Sequence, residues 1–173
     1  MPDLEPFCAE SISLFGQSIV QAVGEAPMPG LGDGPKVPAL AKCLSDSLSD
    51  GAIGRKIPAG SVAGLWLLAG ELDRSHSISQ DDGSAEGSFW HGVMHRREGD
   101  FGNAKYWFRR VGNHPVFESM AGKYPSIYPT PQQFVDECEK ALSPSPDGGS
   151  AGPRLCGEVQ WYEWQVMMAY HLG

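Results

Sequence analysis

The middle of the chain, residues 89–117 (FWHGVMHRREGDFGNAKYWFRRVGNHPVF), contains three side chains that could hold a metal ion: His91, His95 and Glu98. Successive residues of an α-helix are rotated by about 100°, so these side chains would share one narrow helix face. Two histidines four residues apart can bind one ion, and a carboxylate would complete a catalytic site with an open fourth position. We therefore predict His91, His95 and Glu98 as ligands of a divalent metal such as zinc. The alternative is two separate core histidines and a pair between Glu98 and an arginine.

Two side chains from other predicted helices, His76 and Glu163, are expected at the same site. His76 continues an apolar face of a helix predicted over residues 62–79, which favours a pocket at the end of that face, with fraying into solvent as the alternative. Glu163 lies on an apolar face of the last predicted helix, residues 158–171, where a lone carboxylate is costly to bury. It must therefore be paired, metal-bound or protonated, and an arginine of the central stretch as its partner is the alternative to a catalytic role. The predicted catalytic residues are His76, His91, His95 and Glu163.

The same central stretch is rich in groups that could bind an anionic substrate. On a helix predicted over residues 103–111, one stripe of hydrogen-bond donors and aromatic surface is formed by Asn103, Tyr106, Trp107 and Arg110. The guanidinium group of arginine binds carboxylates and phosphates through two parallel hydrogen bonds. The alternative is an arginine–glutamate network that joins helices. The predicted substrate-binding residues are Arg96, Arg97, Asn103, Tyr106 and Arg110.

Composition limits the classes of partner. The 173 residues are 41% hydrophobic with a net charge of −8, which is typical of a soluble globular protein and disfavours nucleic acid or an anionic membrane as partner. Residues 89–117 carry five basic and two acidic residues, so a small anion or polar metabolite fits this stretch. The four cysteines form no C-x-x-C pair, and neither a secretory signal nor a long apolar segment is present. We expect free thiols and a cytoplasmic location.

Helical periodicity between proline- and glycine-rich breaks predicts the fold. No segment shows the alternation of a β-strand, so the prediction is an all-α, single-domain irregular bundle of six to seven helices. Residues 1–36 are expected to form a loosely ordered N-terminal segment, with one weak helix over residues 9–23, and residues 37–173 to form the helical domain.

The motifs GLWLLAGELDRSHSISQ and GSFWHGVMHRREGDFGNAKYWFRRVGNHPVF, together with EWQ near the C-terminus, resemble a family of small helical proteins from bacteria and fungi. The resemblance covers about residues 64–117 and Glu163 with its neighbours, and it does not extend before about Pro58. Since that family has no established activity, the resemblance implies that His76, His91, His95 and Glu163 belong together without naming a reaction.

The sequence thus favours an enzyme with hydrolase- or lyase-like chemistry. It would act on a small anionic or polar metabolite in a pocket lined by histidine, arginine and glutamate, with assistance from a metal. Two alternatives stay open. One is a non-enzymatic module that binds a small anion. The other is a buried arginine–glutamate–histidine network with a purely structural role.

Overall fold

A computed structural model describes residues 14–49, 57–143 and 151–173. These residues form nine helices and no strand, which confirms the all-α class and shows that six to seven helices was too low a count. The helices are α1 (Gln17–Glu25), α2 (Pro38–Ser49), α3 (Ala59–Leu68), α4 (Leu72–Asp81), α5 (Ala85–Glu98), α6 (Phe101–Val111), α7 (Pro115–Lys123), α8 (Pro131–Leu142) and α9 (Gly152–Leu172).

The helix predicted over residues 62–79 is divided into α3 and α4 by a turn at Gly70. Gly70 has a φ of 75°, and a Cβ at this position would lie 2.5 Å from the carbonyl oxygen of Pro35. Only glycine adopts such a backbone conformation at little cost, and only glycine leaves room for the neighbouring chain. The prediction of one continuous helix was wrong because a single glycine inside an apolar helical pattern does not reveal a close tertiary contact.

Several apolar side chains from residues 14–36, within the segment expected to be loosely ordered, contribute to the core. Phe15, Ile19, Val23 and Leu31 are all buried within the main hydrophobic cluster. The apolar side chains of α1 therefore pack against the rest of the chain. The first part of the helix predicted over residues 9–23 lies outside the described residues.

Helix α5 lies at the centre of the described structure, and its residues 87–97 are all buried. It ends at Gly99, which has a φ of 89°, and α6 begins after Asp100, whose side chain accepts a hydrogen bond from the Asn103 N–H at 3.1 Å. Left-handed glycine and an aspartate cap are the expected signals for the end of one helix and the start of the next. The short connection holds α6 against α5. Since α5 has almost no solvent-facing side, each of its polar side chains must find a partner inside the protein.

None of the helices in the described part of the chain has the length and apolar character needed to cross a lipid bilayer.

Candidate functional site

Three histidine side chains meet between α4 and α5, and we call them the three-histidine cluster: His76, His91 and His95. One possible ligand nitrogen from each lies within 4.8 Å of the others. The ring centroids are 4.7 Å apart for His76 and His91, 4.9 Å for His91 and His95, and 5.5 Å for His76 and His95. His91 and His95 are only 2% and 7% exposed, whereas His76 is half-buried, so the cluster is close to the surface on one side.

The local sequence explains why the cluster forms. His91 and His95 are four residues apart on α5 and therefore share a face. Helix α5 begins directly after α4, and Ser84 caps it by accepting the Gly87 N–H at 2.9 Å. A Cβ at Gly87 would lie 2.2 Å from the carbonyl oxygen of Asp82, so glycine permits the close return of the chain. This tight connection places His76 of α4 opposite the two histidines of α5.

Aromatic packing from α6 covers one side of the cluster. The Trp107 ring stacks on His91 at 3.8 Å with an interplanar angle of 10°, and the Arg110 guanidinium lies 4.9 Å from the Trp107 ring on which it packs. Burial lowers the pKa of His91 from 6.5 to about 4, with smaller contributions from the neighbouring histidines and Arg110. Burial also lowers the pKa of His95. Both rings are therefore neutral at neutral pH, which is the form that binds metals.

The donor set suits a transition metal of the zinc type. Neutral imidazoles bind zinc, copper, nickel and iron well, and three histidines leave one position open on a tetrahedral ion. Zinc–nitrogen distances of about 2.0–2.1 Å require nitrogens about 3.4 Å apart, so the three side chains would have to close by roughly 1 Å. His91 Nδ1 is buried and has no hydrogen-bond partner, which leaves a lone pair or an N–H group unsatisfied.

Glu98 lies beside His95, on the side facing away from the other two histidines, and is not part of the three-histidine cluster. The His95 Nδ1 and Glu98 Oε2 atoms are 3.2 Å apart, the arrangement in which an outer carboxylate orients a ligand histidine. The predicted ligand set of His91, His95 and Glu98 therefore differs from the observed group, where His76 takes the third position. The other nitrogen of His95, Nε2, lies 3.1 Å from Nδ2 of Asn103.

Glu163 lies on the opposite side of α5, where it forms a buried ion pair with Arg96. Its Oε2 atom is 2.5 Å from Arg96 Nη2, and its Oε1 atom accepts hydrogen bonds from Arg96 Nη1 at 3.2 Å and Tyr128 at 2.8 Å. Arg96 is rotated by about 140° from His91 around the helix axis, so the two point in different directions. The structure thus brings Glu163 to an arginine, as the structural alternative expected, and not to the three-histidine cluster.

Arg97 is also held inside the protein by the fold. Its guanidinium donates hydrogen bonds to the carbonyl oxygens of Leu67, Gly32 at 3.1 Å and Gly34 at 3.3 Å. Burial and the nearby charge of Arg96 lower the pKa of Arg97 to about 10. These contacts tie the loop before α2 to the end of α3, so the side chain is used to join backbone segments.

Arg110 is the predicted substrate-binding arginine that remains near the cluster. It is exposed, and its Nη1 atom donates to the Tyr106 hydroxyl at 3.3 Å while its guanidinium packs on Trp107. Within the described residues it forms no ion pair with a carboxylate. Trp107 lies on the predicted stripe of the helix, four residues after Asn103, but it was not assigned a role in the site.

A surface depression beside Glu98 is lined by three further acidic residues, Asp33, Glu71 and Asp73, and by Lys36. The Lys36 ammonium lies 3.8 Å from a carboxylate oxygen of Glu71. Acidic side chains in a concave surface raise the local concentration of cations. The depression is therefore predominantly acidic, and it meets the three-histidine cluster only through Glu98, whose carboxylate lies beside His95.

Comparison with protein-family models gives no match, and comparisons with characterised proteins and with solved structures give none. The resemblance to a bacterial and fungal family stays a prediction, and the function must be argued from the geometry of the site.

Proposed function

We propose that the three-histidine cluster binds a divalent metal ion such as zinc and supports hydrolase- or lyase-like chemistry on a small anionic or polar metabolite. The observation that carries this proposal is the convergence of His76, His91 and His95, with one ligand nitrogen from each within 4.8 Å. The unpartnered, buried Nδ1 of His91 adds to it, because such an atom is costly unless something binds to it.

The chemistry follows from the number of ligands. Three protein ligands leave a position for water or substrate, and zinc in such a site lowers the pKa of bound water to about 7. Glu98 would orient His95 from behind, and Arg110 would bind an anionic group of the substrate at the edge of Trp107.

A mechanism that uses the histidines without a metal is less well supported. An effective general base has a pKa near the working pH, whereas burial lowers that of His91 to about 4. A neutral imidazole at pH 7 is a good metal ligand and a weak base. The same pKa that disfavours proton transfer by His91 therefore favours metal binding, since no proton has to be displaced.

The alternative is a non-enzymatic module that binds a small anion. The observation in its favour is Arg110, whose guanidinium is held in place by Tyr106 and Trp107 while its charge is not neutralised by a carboxylate of the described residues. In that case anion affinity would depend on Arg110 and would be the same with and without metal. We also propose the cytoplasm as the compartment, because the cysteines in the described residues are free thiols.

Titration of the metal-depleted protein with Zn²⁺ in the presence of a competing chelator tests the proposal. The expected result is one Zn²⁺ ion per chain. Replacement of His76 or His91 by alanine should weaken Zn²⁺ binding by more than about 10- to 100-fold, which is the loss typical of changes to residues that contact a ligand histidine but not the metal. The matched control is His171→Gln, which changes a histidine outside the cluster and should keep the affinity. The proposal would be overturned if neither the wild-type protein nor any variant that keeps all three histidines bound Zn²⁺.

The visible absorption spectrum of the Co²⁺-loaded protein provides a second readout, since tetrahedral coordination gives intense bands. Metal-dependent turnover of small ester, amide or phosphate-ester substrates would separate the enzyme from the binding module. An Arg110→Gln variant that loses binding of inorganic phosphate equally with and without metal would support the module instead.

A further inference from the structure

The two nitrogens of His95 have different hydrogen-bond partners, which fixes where its proton lies. Nδ1 faces Glu98 Oε2 at 3.2 Å, and an ionised carboxylate can only accept a hydrogen bond. Nδ1 must therefore carry the proton. In the neutral imidazole, Nε2 then has a free lone pair and acts as an acceptor.

That lone pair is occupied by the side chain of Asn103. The Asn103 Nδ2 atom lies 3.1 Å from His95 Nε2, and because Nε2 is the acceptor, the amide must present its NH₂ group and not its oxygen. Nε2 is also the atom with which His95 would bind a metal, since Nδ1 is directed at the carboxylate. A metal ion and the Asn103 amide therefore compete for one lone pair.

We propose that Asn103 gates the three-histidine cluster, because its amide must leave His95 Nε2 before a divalent transition metal can bind there. This inference rests on the proposed function and adds to it a control on metal uptake.

The position of Asn103 allows such a movement. Its backbone N–H is fixed by the cap from Asp100 at 3.1 Å, and the residue is half-buried at the start of α6. Rotation about the side-chain torsions can therefore release His95 while the helix stays in place. The net stability of one hydrogen bond corresponds to a change of about 2- to 10-fold in an equilibrium constant, which sets the expected size of the effect.

The test compares the affinity of Zn²⁺ for the wild-type protein, Asn103→Ala, Asn103→Asp and a matched control, Asn113→Ala. Asn113 is exposed in the connection after α6, so its replacement changes an asparagine without touching the cluster. We expect Asn103→Ala to bind Zn²⁺ about 2- to 10-fold more tightly than wild type, since the competing donor is gone. Asn103→Asp should bind more tightly still, because a carboxylate beside Nε2 can become a ligand.

The outcomes separate this inference from the proposed function. Wild-type binding together with weaker binding by Asn103→Ala would make Asn103 a ligand or support of the metal and overturn the gate. An unchanged affinity in Asn103→Ala would also overturn it while leaving the metal site intact. Absence of binding in all four proteins would refute the proposed function. Binding in Asn103→Ala and Asn103→Asp but in neither the wild type nor Asn113→Ala would support both the gate and the proposed function.

A measurement without metal checks the premise. The ¹⁵N chemical shifts of the His95 ring in the wild-type protein should show a protonated Nδ1 and an acceptor Nε2. A protonated Nε2 would mean that the amide presents its oxygen to His95, and the gate would then be refuted whatever the affinities. Thermal unfolding of each variant ensures that the comparison is made on folded protein.

Discussion

Replacement of Glu163 by glutamine is expected to destabilise the fold strongly and to leave the metal affinity of the folded protein unchanged. Arg96 and Glu163 are 0% and 1% exposed, with two contacts of 2.5 and 3.2 Å between them. The variant leaves the Arg96 guanidinium buried beside a neutral amide. Removing one partner of a buried ion pair costs about 3–5 kcal/mol of unfolding free energy. For a chain of this size, that corresponds to a decrease in Tm of roughly 6–20 °C.

A double-mutant cycle isolates the pair. The unfolding free energies of wild type, Glu163→Gln, Arg96→Met and the double variant are measured by urea denaturation at pH 7. The double variant should be much more stable than the sum of the two single losses predicts, because it buries no unpaired charge. The matched control is the half-exposed surface pair of Lys105 and Asp136, in which the Lys105 Nζ and Asp136 Oδ1 atoms are 2.7 Å apart. Asp136→Asn should cost only about 0–1 kcal/mol.

Two results would refute this reasoning. A loss of less than about 1 kcal/mol in Glu163→Gln would mean that the buried pair contributes no more than a surface pair. A variant that keeps its stability and loses Zn²⁺ affinity would place Glu163 at the metal site, as the sequence predicted, and would remove the structural role assigned to it.

Three further outcomes are expected. Glu98→Gln should weaken Zn²⁺ binding by about 10- to 100-fold in a chelator titration, since the carboxylate behind His95 fixes the ring for coordination; an unchanged affinity would show that this contact is incidental. Burial lowers the pKa of His171 below its ordinary value of 6.5, because the folded protein disfavours the charged imidazolium. The neutral ring therefore contributes its full stability above pH 6.5, and this stability is lost as the pH falls through the pKa of the folded state. In urea denaturation from pH 8 to pH 5, the unfolding free energy of the wild type should therefore fall relative to that of His171→Gln. A difference between the two proteins that does not change with pH would contradict the lowered pKa. Gly70→Ala should lower the unfolding free energy by at least about 1–2 kcal/mol because Gly70 has a positive φ. Gly122→Ala, at a helical position with open space around it, should raise the unfolding free energy by about 0.5–1 kcal/mol. Equal changes in Tm for the two variants would contradict this reasoning.

The parts of the site that lie within one helix could be predicted from the sequence. His91 and His95 are four residues apart, and helical geometry alone places them on one face. The need of a buried carboxylate for a partner likewise predicted, as one alternative, that Glu163 would meet an arginine of the central stretch. These inferences require only the period of the helix and the cost of burying charge.

The parts that depend on how helices pack could not be predicted in the same way. Glu98 shares the face of His95, but it lies near the end of α5 and reaches the outer nitrogen of that ring. The third ring, His76, is brought in by the tight turn between α4 and α5, and the period of the helix does not specify the angle of that turn. Whether Glu98 or His76 lies beside His91 and His95 as the third group could therefore be decided only from the tertiary structure.

The difference between the two sides of α5 is the physical reason for placing function at the histidines. On one side, the terminal nitrogens of Arg96 have Glu163 and Gln160 as partners, and its Nε atom, which is only a donor, has none. On the other side, His91 is equally deep but its Nδ1 has no partner. An unpartnered buried polar atom costs about 1–3 kcal/mol. We therefore expect an ion bound beside the three imidazoles to stabilise the fold. The Arg96 guanidinium, which is paired with Glu163 and has no lone pair to offer, cannot bind a cation.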